Sequence, residues 1–195
     1  ITRLGGDAKW EDVDNNGVID EKDRVYAGNI YPTWTGGISN SFSYKNLELY
    51  FRFDYTTGHT IYNLTNLFYL AQLQGDNGLS ADLLRSWQKE GDVTDVPKLY
   101  WGDPRMNHYR GNEVSSKYYE KGDFLAIREI TLAYGLPNSL LRKLKVSNVR
   151  FNITANNLYY FVNSNTKTLN PEEGGTDVGR YPLPKNFIFG ARITL

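Results

Sequence analysis

The chain has 195 residues, enough for one domain with a sizeable core, and its 22 lysine and arginine residues balance 22 aspartate and glutamate residues. It therefore has no net field that would favour nucleic acid, and the absence of cysteine excludes disulfides, thiol catalysis and cysteine metal sites. No stretch reaches the roughly 18 apolar residues of a membrane-spanning helix, a limit that does not apply to membrane strands, which alternate apolar and polar residues.

The first predicted element is a loop over residues 1–33 that carries a calcium-like motif. Counted from Asp12, oxygen-bearing side chains stand at positions 1, 3, 5, 9 and 12 and a glycine at position 6, which is the spacing of an EF-hand-type loop. The aspartate at position 12 is shorter than the usual glutamate, and neither flank predicts a long helix, so an Asx-rich turn without metal is the alternative. The candidate Ca²⁺ ligands are Asp12, Asp14, Asn16, Val18 (through its carbonyl), Asp20 and Asp23.

Two strands are predicted next, at residues 34–44 and 47–55. Both alternate apolar and polar residues, the period-2 pattern of a hairpin with two unlike faces. A soluble sandwich and a membrane wall both use such strands, so periodicity alone leaves the environment of each face open. In the second strand one face consists of Leu47, Leu49, Phe51, Phe53 and Tyr55, and the other of Glu48, Tyr50, Arg52 and Asp54.

A long connection, residues 56–122, separates this hairpin from the next predicted strand. A connection of such length in a compact domain is normally functional. It contains His59 and His108, which we expect to be solvated loop residues because no nucleophile or third metal ligand accompanies them. Its rings include Trp101 and Tyr109, which could stack on a sugar or contact a partner protein; the alternative is packing within their own loop.

Three further strands are predicted at residues 123–134, 149–161 and 185–195. In the first of them the apolar positions change from odd to even numbers, which a β-bulge near Arg128 and Glu129 would explain; the alternative is that the first half of the strand lies above the membrane. The other two keep one apolar face and one mostly polar face along their length.

The connections between the five strands alternate in length. Those at 45–46 and 135–148 are shorter than those at 56–122 and 162–184. A strand of about 11 residues rising ~3.3 Å per residue at a tilt near 45° covers ~25 Å, close to the apolar band of a membrane barrel. Outer-membrane barrels have short periplasmic turns and long external loops, which would place both long connections and residues 1–33 outside the cell. Because a barrel takes about eight strands to close, this interpretation makes the chain a fragment of a larger protein.

Several segments match a known family pattern in the same order. They are Gly6–Asn29 with its calcium-like core, Ser86-Trp87 with Asp95–Pro97, Tyr119–Pro137, Ala155–Leu158 and Tyr181–Leu195. In these segments the chain resembles the C-terminal part of the SusC/RagA family of TonB-dependent outer-membrane transporters from the Bacteroidetes, and the resemblance covers essentially the whole chain. Two departures are Leu195, where the family usually has an aromatic residue, and Ala126, where a basic residue is common.

The resemblance implies an all-β fold in which this chain forms about the last five strands of a 22-stranded antiparallel transmembrane barrel, in contact with lipid in the bacterial outer membrane. It implies TonB-dependent import of a glycan, or of a peptide, together with a SusD-like surface lipoprotein. The plug and the contact with TonB would come from an N-terminal part of the same transporter that this sequence does not contain. The substrate-binding candidates of the lumen face are Arg52, Asp54 and Asn152, and further lumen residues are Glu48, Arg150, Asn156 and Arg192.

The alternative is a soluble, calcium-binding β-sandwich that acts as a carbohydrate-binding module. In that fold the same apolar faces would form the core and the rings would bind sugar. An enzyme is not predicted, because no paired carboxylates, catalytic triad or metal-histidine spacing is recognisable, and no organic cofactor is expected. Expression of residues 1–195 alone would distinguish the two hypotheses, since a soluble, cooperatively melting monomer without detergent would contradict the transporter interpretation.

Overall fold

The structure is a computed structural model that describes residues 4–71, 80–100 and 115–195. Within these ranges the strands, in chain order, are β1 (Trp34–Tyr44), β2 (Leu47–Thr57), β3 (Thr60–Asn63), β4 (Tyr119–Lys121), β5 (Phe124–Gly135), β6 (Asn148–Val162), β7 (Thr176–Asp177) and β8 (Asn186–Thr194). The α-helices are α1 (Leu64–Ala71) and α2 (Asn138–Leu144), and the 3₁₀ turns are Glu21–Asp23, Ala81–Arg85 and Ser116–Tyr118.

Five strands form one antiparallel sheet, the main sheet, in the order β1-β2-β5-β6-β8. These are the five strands that alternation predicts, and their ends differ from the predicted ones by at most two residues. Period-2 sequences place one complete set of side chains on each face of a pleated sheet, which fixes the register of each pair. The prediction of an antiparallel, mostly β architecture is confirmed, while closure into a 22-stranded barrel stays a prediction.

The bulge predicted in the third strand of this sheet is present at Arg128. The pairing of β5 with β6 shifts between Ile127 and Glu129, and the pairing of β2 with β5 shifts at the same place, between Arg52 and Phe53. One additional residue in β5 therefore explains why its apolar positions change from odd to even numbers. As a result, Arg128 and Glu129 both lie on the polar side of the sheet.

The apolar face of the main sheet is uncovered. Phe189 is 74% exposed, Ile38 63% and Leu132 43%. The opposite face carries charged groups that pair across strands, such as Arg150 and Glu48, whose closest nitrogen and oxygen are 2.6 Å apart. A sandwich would bury the apolar face against a second sheet. The exposure of this face argues against the soluble alternative.

A second, three-stranded sheet joins the two long connections, which are predicted from the sequence as loops. Its order is β4-β3-β7, with β3 antiparallel to β4 and parallel to β7. Because β3 and β4 belong to residues 56–122 and β7 belongs to residues 162–184, the two connections fold together as one unit. Ile61, Leu67 and Tyr118 are buried in this unit, each at most 2% exposed.

The α-helices α1 and α2 are short and lie in the connections between strands of the main sheet. The 3₁₀ turn Ala81–Arg85 begins after Ser80, whose side chain caps it by accepting from the Asp82 amide. Leu83 of that turn packs with Leu70 and Val96 in a small core of its own. No helix in the described ranges is long and apolar enough to cross a membrane.

Candidate functional site: a charged cleft on the polar face

A cleft of about 620 Å³ opens on the polar face of the main sheet, where its strands meet the long connections. The first residues of β1, the last residues of β2 and the connection between β6 and β8 all contribute to its lining. A cavity with several charged groups suits a polar solute better than an apolar one. The titratable residues that line it are Arg52, Asp54, Tyr55, His59, Arg128 and Glu172.

The predicted candidates Arg52 and Asp54 come together in this cleft. Both lie on the polar face of β2, and the Arg52 guanidinium donates from Nε to Asp54 Oδ1 at 3.0 Å and from Nη2 to Oδ2 at 3.1 Å. Two parallel bonds hold the orientation of a carboxylate better than one bond does. The Arg52 side chain is 52% exposed and that of Asp54 only 21%, so Arg52 is the member of the pair that a solute reaches more easily.

Arg128, the bulge residue, binds the same carboxylate and links it to a distant part of the chain. Its Nε donates to Asp54 Oδ2 at 2.9 Å, and its Nη2 lies 2.7 Å from Glu172 Oε1. Its Nη1 donates to Asn157 Oδ1 and Tyr160 Oη, each at 3.2 Å. The side chain is 19% exposed. With these partners engaged, Arg128 holds the cleft in shape and is less available to a solute than Arg52.

Glu172 attaches the connection between β6 and β8 to the main sheet. Besides its ion pair with Arg128, it accepts a short hydrogen bond from Tyr160 Oη. Farther along the same connection, the Pro184 carbonyl accepts from Asn157 Nδ2 at 3.2 Å. The connection is therefore fixed over the cleft at two separate points.

The structure corrects the expectation that His59 is a solvated loop residue. Its side chain is 5% exposed, and it lies so close to Gly122 that a Cβ atom there would collide with the imidazole. Within the described residues its Nδ1 has no hydrogen-bond partner. Burial lowers the pKa of His59, although the Asp123 carboxylate acts in the opposite direction. His59 and Gly122 come from opposite ends of the long connection, which is why local sequence patterns miss this packing.

We expect acid to loosen this corner of the cleft. Since the pKa of His59 in the folded protein is lower than in the unfolded chain, the unfolded state binds the proton more readily, and stability falls as pH drops below about 6.5. Hydrogen exchange of the Gly122 amide, which donates to the His59 carbonyl at 2.9 Å, reports this opening. After correction for the intrinsic pH dependence, exchange of this amide should become faster as the pH falls from 7.5 to 5.5. A His59→Gln variant should show no change after the same correction. Equal behaviour of the two proteins would contradict the expectation.

The remaining predicted binding residues lie elsewhere. Asn152 is on the polar face of β6, paired with Gly190 of β8, and its amide occupies the space that a side chain at Gly190 would need. It does not line the cleft. Trp101 and Tyr109 lie outside the described residues, and their role in binding stays a prediction.

The calcium-like loop brings three of its predicted ligands together. Oxygen atoms of Asp12, Asp14 and Asp23 all lie within 4.8 Å of one another. The Asp12 carboxylate accepts hydrogen bonds from two backbone amides of the loop, that of Asn16 at 3.1 Å and that of Gly17 at 2.7 Å. Gly17 has φ +84°, the left-handed conformation that position 6 of such a loop requires.

The other predicted ligands have local bonding roles. Asp20 caps the 3₁₀ turn by accepting from the Lys22 amide at 2.8 Å, and Asn16 Oδ1 accepts from the Val18 amide at 2.7 Å. Hydrogen bonds from backbone amides, first that of Asp20, lower the pKa of Asp23. Three carboxylates this close repel one another, and an all-oxygen donor set of this charge fits a hard divalent cation such as Ca²⁺.

Comparisons with known proteins agree with the resemblance noted in the sequence. No protein-family model matches the chain. The chain is 30% identical over 207 residues to TonB-dependent receptor P39 of Formosa agariphila, and 28% identical over 197 residues to TonB-dependent receptor P3 of the same organism. These alignments cover 97% and 95% of the chain but 19% and 18% of the relatives, so the chain spans about a fifth of their length.

Solved structures give the same result. The RagAB peptide importer in its closed-closed state matches with a TM-score of 0.67 and 25% identity, covering 92% of this chain and 20% of that chain. In its open-open state the TM-score is 0.65 and the identity 28%, covering 85% of this chain and 17% of that chain. The resemblance predicted from the sequence is confirmed, and the names of receptors and importers are consistent with the expectation that the chain is not an enzyme.

Proposed function

Because this chain belongs to the SusC/RagA-like TonB-dependent receptors, we propose that it forms part of the wall of an outer-membrane transporter that imports a solute with energy from TonB. The observation that carries the proposal is the main sheet, which has an uncovered apolar face and a charged opposite face. In a membrane barrel the apolar face contacts lipid, and charged groups must face the aqueous interior. We call the full-length protein of this proposal the parent transporter.

Aromatic side chains at both ends of the apolar face support this orientation. The register places Tyr44 and Tyr134 on either side of Leu47 at one end, and Tyr55 near Phe161 at the other end. From Leu47 to Tyr55 the strand rises about 26 Å at ~3.3 Å per residue, or about 20 Å across the membrane at a tilt of ~40°. This depth is comparable with the ~25 Å apolar band between the aromatic girdles of membrane barrels.

On this proposal the long connections and the calcium-like loop lie on the outer side, where a SusD-like lipoprotein would cover them. The similarity to RagAB structures supports a partner of this kind. Exposed rings on the same side are suited to such a contact, for example Tyr26 at 84% and Tyr181 at 92% exposure. Trp101 and Tyr109 are further candidates in the sequence.

We infer that the solute contacts the charged cleft. The cleft combines the guanidinium groups of Arg52 and Arg128 with the carboxylates of Asp54 and Glu172, so it offers both signs of charge at short range without a net charge. Such a site can bind the charged ends and amides of a peptide, or the hydroxyl groups of a glycan. The description of RagAB as a peptide importer makes a peptide the first solute to test and a glycan the second.

The direct test is uptake by cells that express the parent transporter. Labelled peptides and oligosaccharides should enter in a transporter-dependent way, and uptake should stop when TonB is deleted or the proton gradient is dissipated. Uptake that continues without TonB, or a parent transporter found in the soluble fraction, would overturn the proposed function.

Arg52 provides a test of the cleft itself. We expect Arg52→Gln to weaken solute binding to the purified parent transporter by about 10- to 100-fold, the range for one charge-assisted hydrogen bond. The exposed Arg192→Gln change on the same face is the matched control and should leave affinity unchanged. If both variants bind the solute as the unchanged protein does, the cleft is not the site of contact.

Calcium binding by residues 12–23 is a separate proposal with its own measurement. Calorimetry on the parent transporter should show binding of Ca²⁺ that weakens on the order of 10- to 100-fold in Asp12→Asn/Asp14→Asn, because ligand charge sets the affinity of such loops. The control is Asp82→Asn/Asp95→Asn, which removes two exposed carboxylates that pair with Arg85. Identical heats for all three proteins would leave only a hydrogen-bonded turn.

A further inference from the structure

The end of the main sheet opposite the cleft carries cations that the proposed function does not use. Two short segments meet there, because the Gly135 amide donates to the Asn46 carbonyl and Asn46 Nδ2 donates to the Gly135 carbonyl, both at 2.9 Å. The Ser147 amide also donates to the Thr194 carbonyl at 2.8 Å, which brings in the end of β8. We call this end the basic rim; its cations are Lys45, Arg142, Lys143 and Lys145.

The basic rim lacks unpaired carboxylate side chains. Residues 133–151 include no aspartate or glutamate, and Glu48, close by on β2, is already paired with Arg150 at 2.6 Å. Arg142, Lys143 and Lys145 are exposed, and within the described ranges none of them forms an ion pair. The C-terminal dipole of α2 accounts for cations in its last turn. The helix dipole does not account for Lys45, which lies in the turn between β1 and β2. A cluster of positive charge without paired carboxylates therefore remains to be explained.

Exposed leucines accompany these cations. Leu140 and Leu144 of α2 are 42% and 58% exposed, and their spacing of four residues places them on the same side of the helix. Leu141 of the same helix is buried. The rim lies at the end of the apolar face marked by Tyr134, so apolar surface continues from the sheet towards the helix.

We propose that the basic rim binds the head groups of anionic phospholipids. The inference rests on the proposed function, since it requires the apolar face to lie in the hydrocarbon layer, which puts this rim at the level of the phosphates. Lysine and arginine stems lie along apolar surface and extend their charged ends to the interface. Arg142 can bind a phosphate through two donors, and each lysine adds a point charge. Four cations without an unpaired carboxylate side chain beside them are complementary to a negatively charged lipid surface.

The test compares two lipids that differ only in head-group charge. The parent transporter in mild detergent is titrated with phosphatidylglycerol or phosphatidylcholine of the same acyl chains, and bound lipids are counted by native mass spectrometry. We expect tighter binding of phosphatidylglycerol. In Arg142→Gln/Lys143→Gln/Lys145→Gln this affinity should fall on the order of 10- to 100-fold, while phosphatidylcholine binding stays unchanged. The control variant Lys9→Gln/Lys22→Gln/Lys89→Gln removes three exposed cations from the other end and should keep the preference.

Two results would overturn the inference. One is equal phosphatidylglycerol affinity of the unchanged protein and the rim variant. The other is a parallel loss of affinity for both lipids in the rim variant, which would mean that the rim cations are needed for folding. The variant Arg142→Lys/Lys143→Arg/Lys145→Arg keeps the charges and should retain the preference for phosphatidylglycerol. Failure of the proposed function would give a different result. A parent transporter that does not enter liposomes of either lipid would contradict the proposal that the main sheet is part of a membrane-spanning wall.

Discussion

Replacing Arg128 by methionine is expected to free the connection between β6 and β8 from the cleft and to raise its rate of tryptic cleavage by about 10- to 100-fold. Without the guanidinium, Asp54 keeps its two bonds to Arg52, but Glu172 keeps only the hydroxyl of Tyr160. A partly buried carboxylate that loses its counter-charge is stabilised by moving into water. The connection that carries Glu172 should therefore leave the sheet, exposing the bonds after Lys167 and Arg180 to the protease.

The matched control is Arg24→Met, which removes an arginine whose ion pair with Glu21 is exposed, at 65% and 86% for the two side chains. Exposed pairs of this kind contribute little, so cleavage should stay at the rate of the unchanged protein. In the double variant Arg128→Met/Glu172→Gln the unpaired carboxylate is gone, and cleavage should be slower than in Arg128→Met alone. Equal cleavage of the unchanged protein and Arg128→Met would refute the attachment, as would strictly additive effects in the double variant.

The main sheet is predictable from sequence because its signal is local. Most positions in each strand alternate between apolar and polar residues, and the change of phase at Arg128 predicts the bulge that the pairing confirms. The polar faces of these strands also identify Arg52 and Asp54 as neighbours in the cleft. Predictions of this kind succeed because adjacent residues alone determine which face of a strand a side chain occupies.

The rest of the site depends on contacts between distant segments. Arg128 reaches the polar face only because it is the additional residue of the bulge. Glu172 comes from a connection without a period-2 or helical pattern. The pairing of β3 with β7 joins Asn63 to Asp177 in strands of four and two residues, too short for any periodicity. Their buried polar side chains are also unlike the apolar residues by which a core is usually recognised in sequence.

Replacing Asp177 by alanine should separate the two long connections, since this carboxylate is 1% exposed and serves donors from three places. It accepts from Thr168 Oγ1 at 2.5 Å, from the Gly179 amide at 2.7 Å and from Thr65 Oγ1 at 3.4 Å. Leaving buried donors unpaired costs about 3 kcal/mol of local stability, which corresponds to exchange of the Tyr62 amide on the order of 100-fold faster.

The conservative and control variants show why this effect is specific. Asp177→Asn keeps one carbonyl acceptor, and the Thr168 hydroxyl can reverse its role, so exchange should rise only about 10-fold. Asp92→Ala removes a carboxylate that also accepts two hydrogen bonds, from the Gln88 and Lys89 amides at 3.0 and 2.9 Å, but in a turn within one connection. Its effect should stay confined to that turn and leave the Tyr62 amide, which donates to the Gly175 carbonyl at 2.7 Å, as protected as before. Unchanged exchange at Tyr62 in Asp177→Ala would mean that apolar packing around Ile61 and Tyr118 alone holds the two connections together.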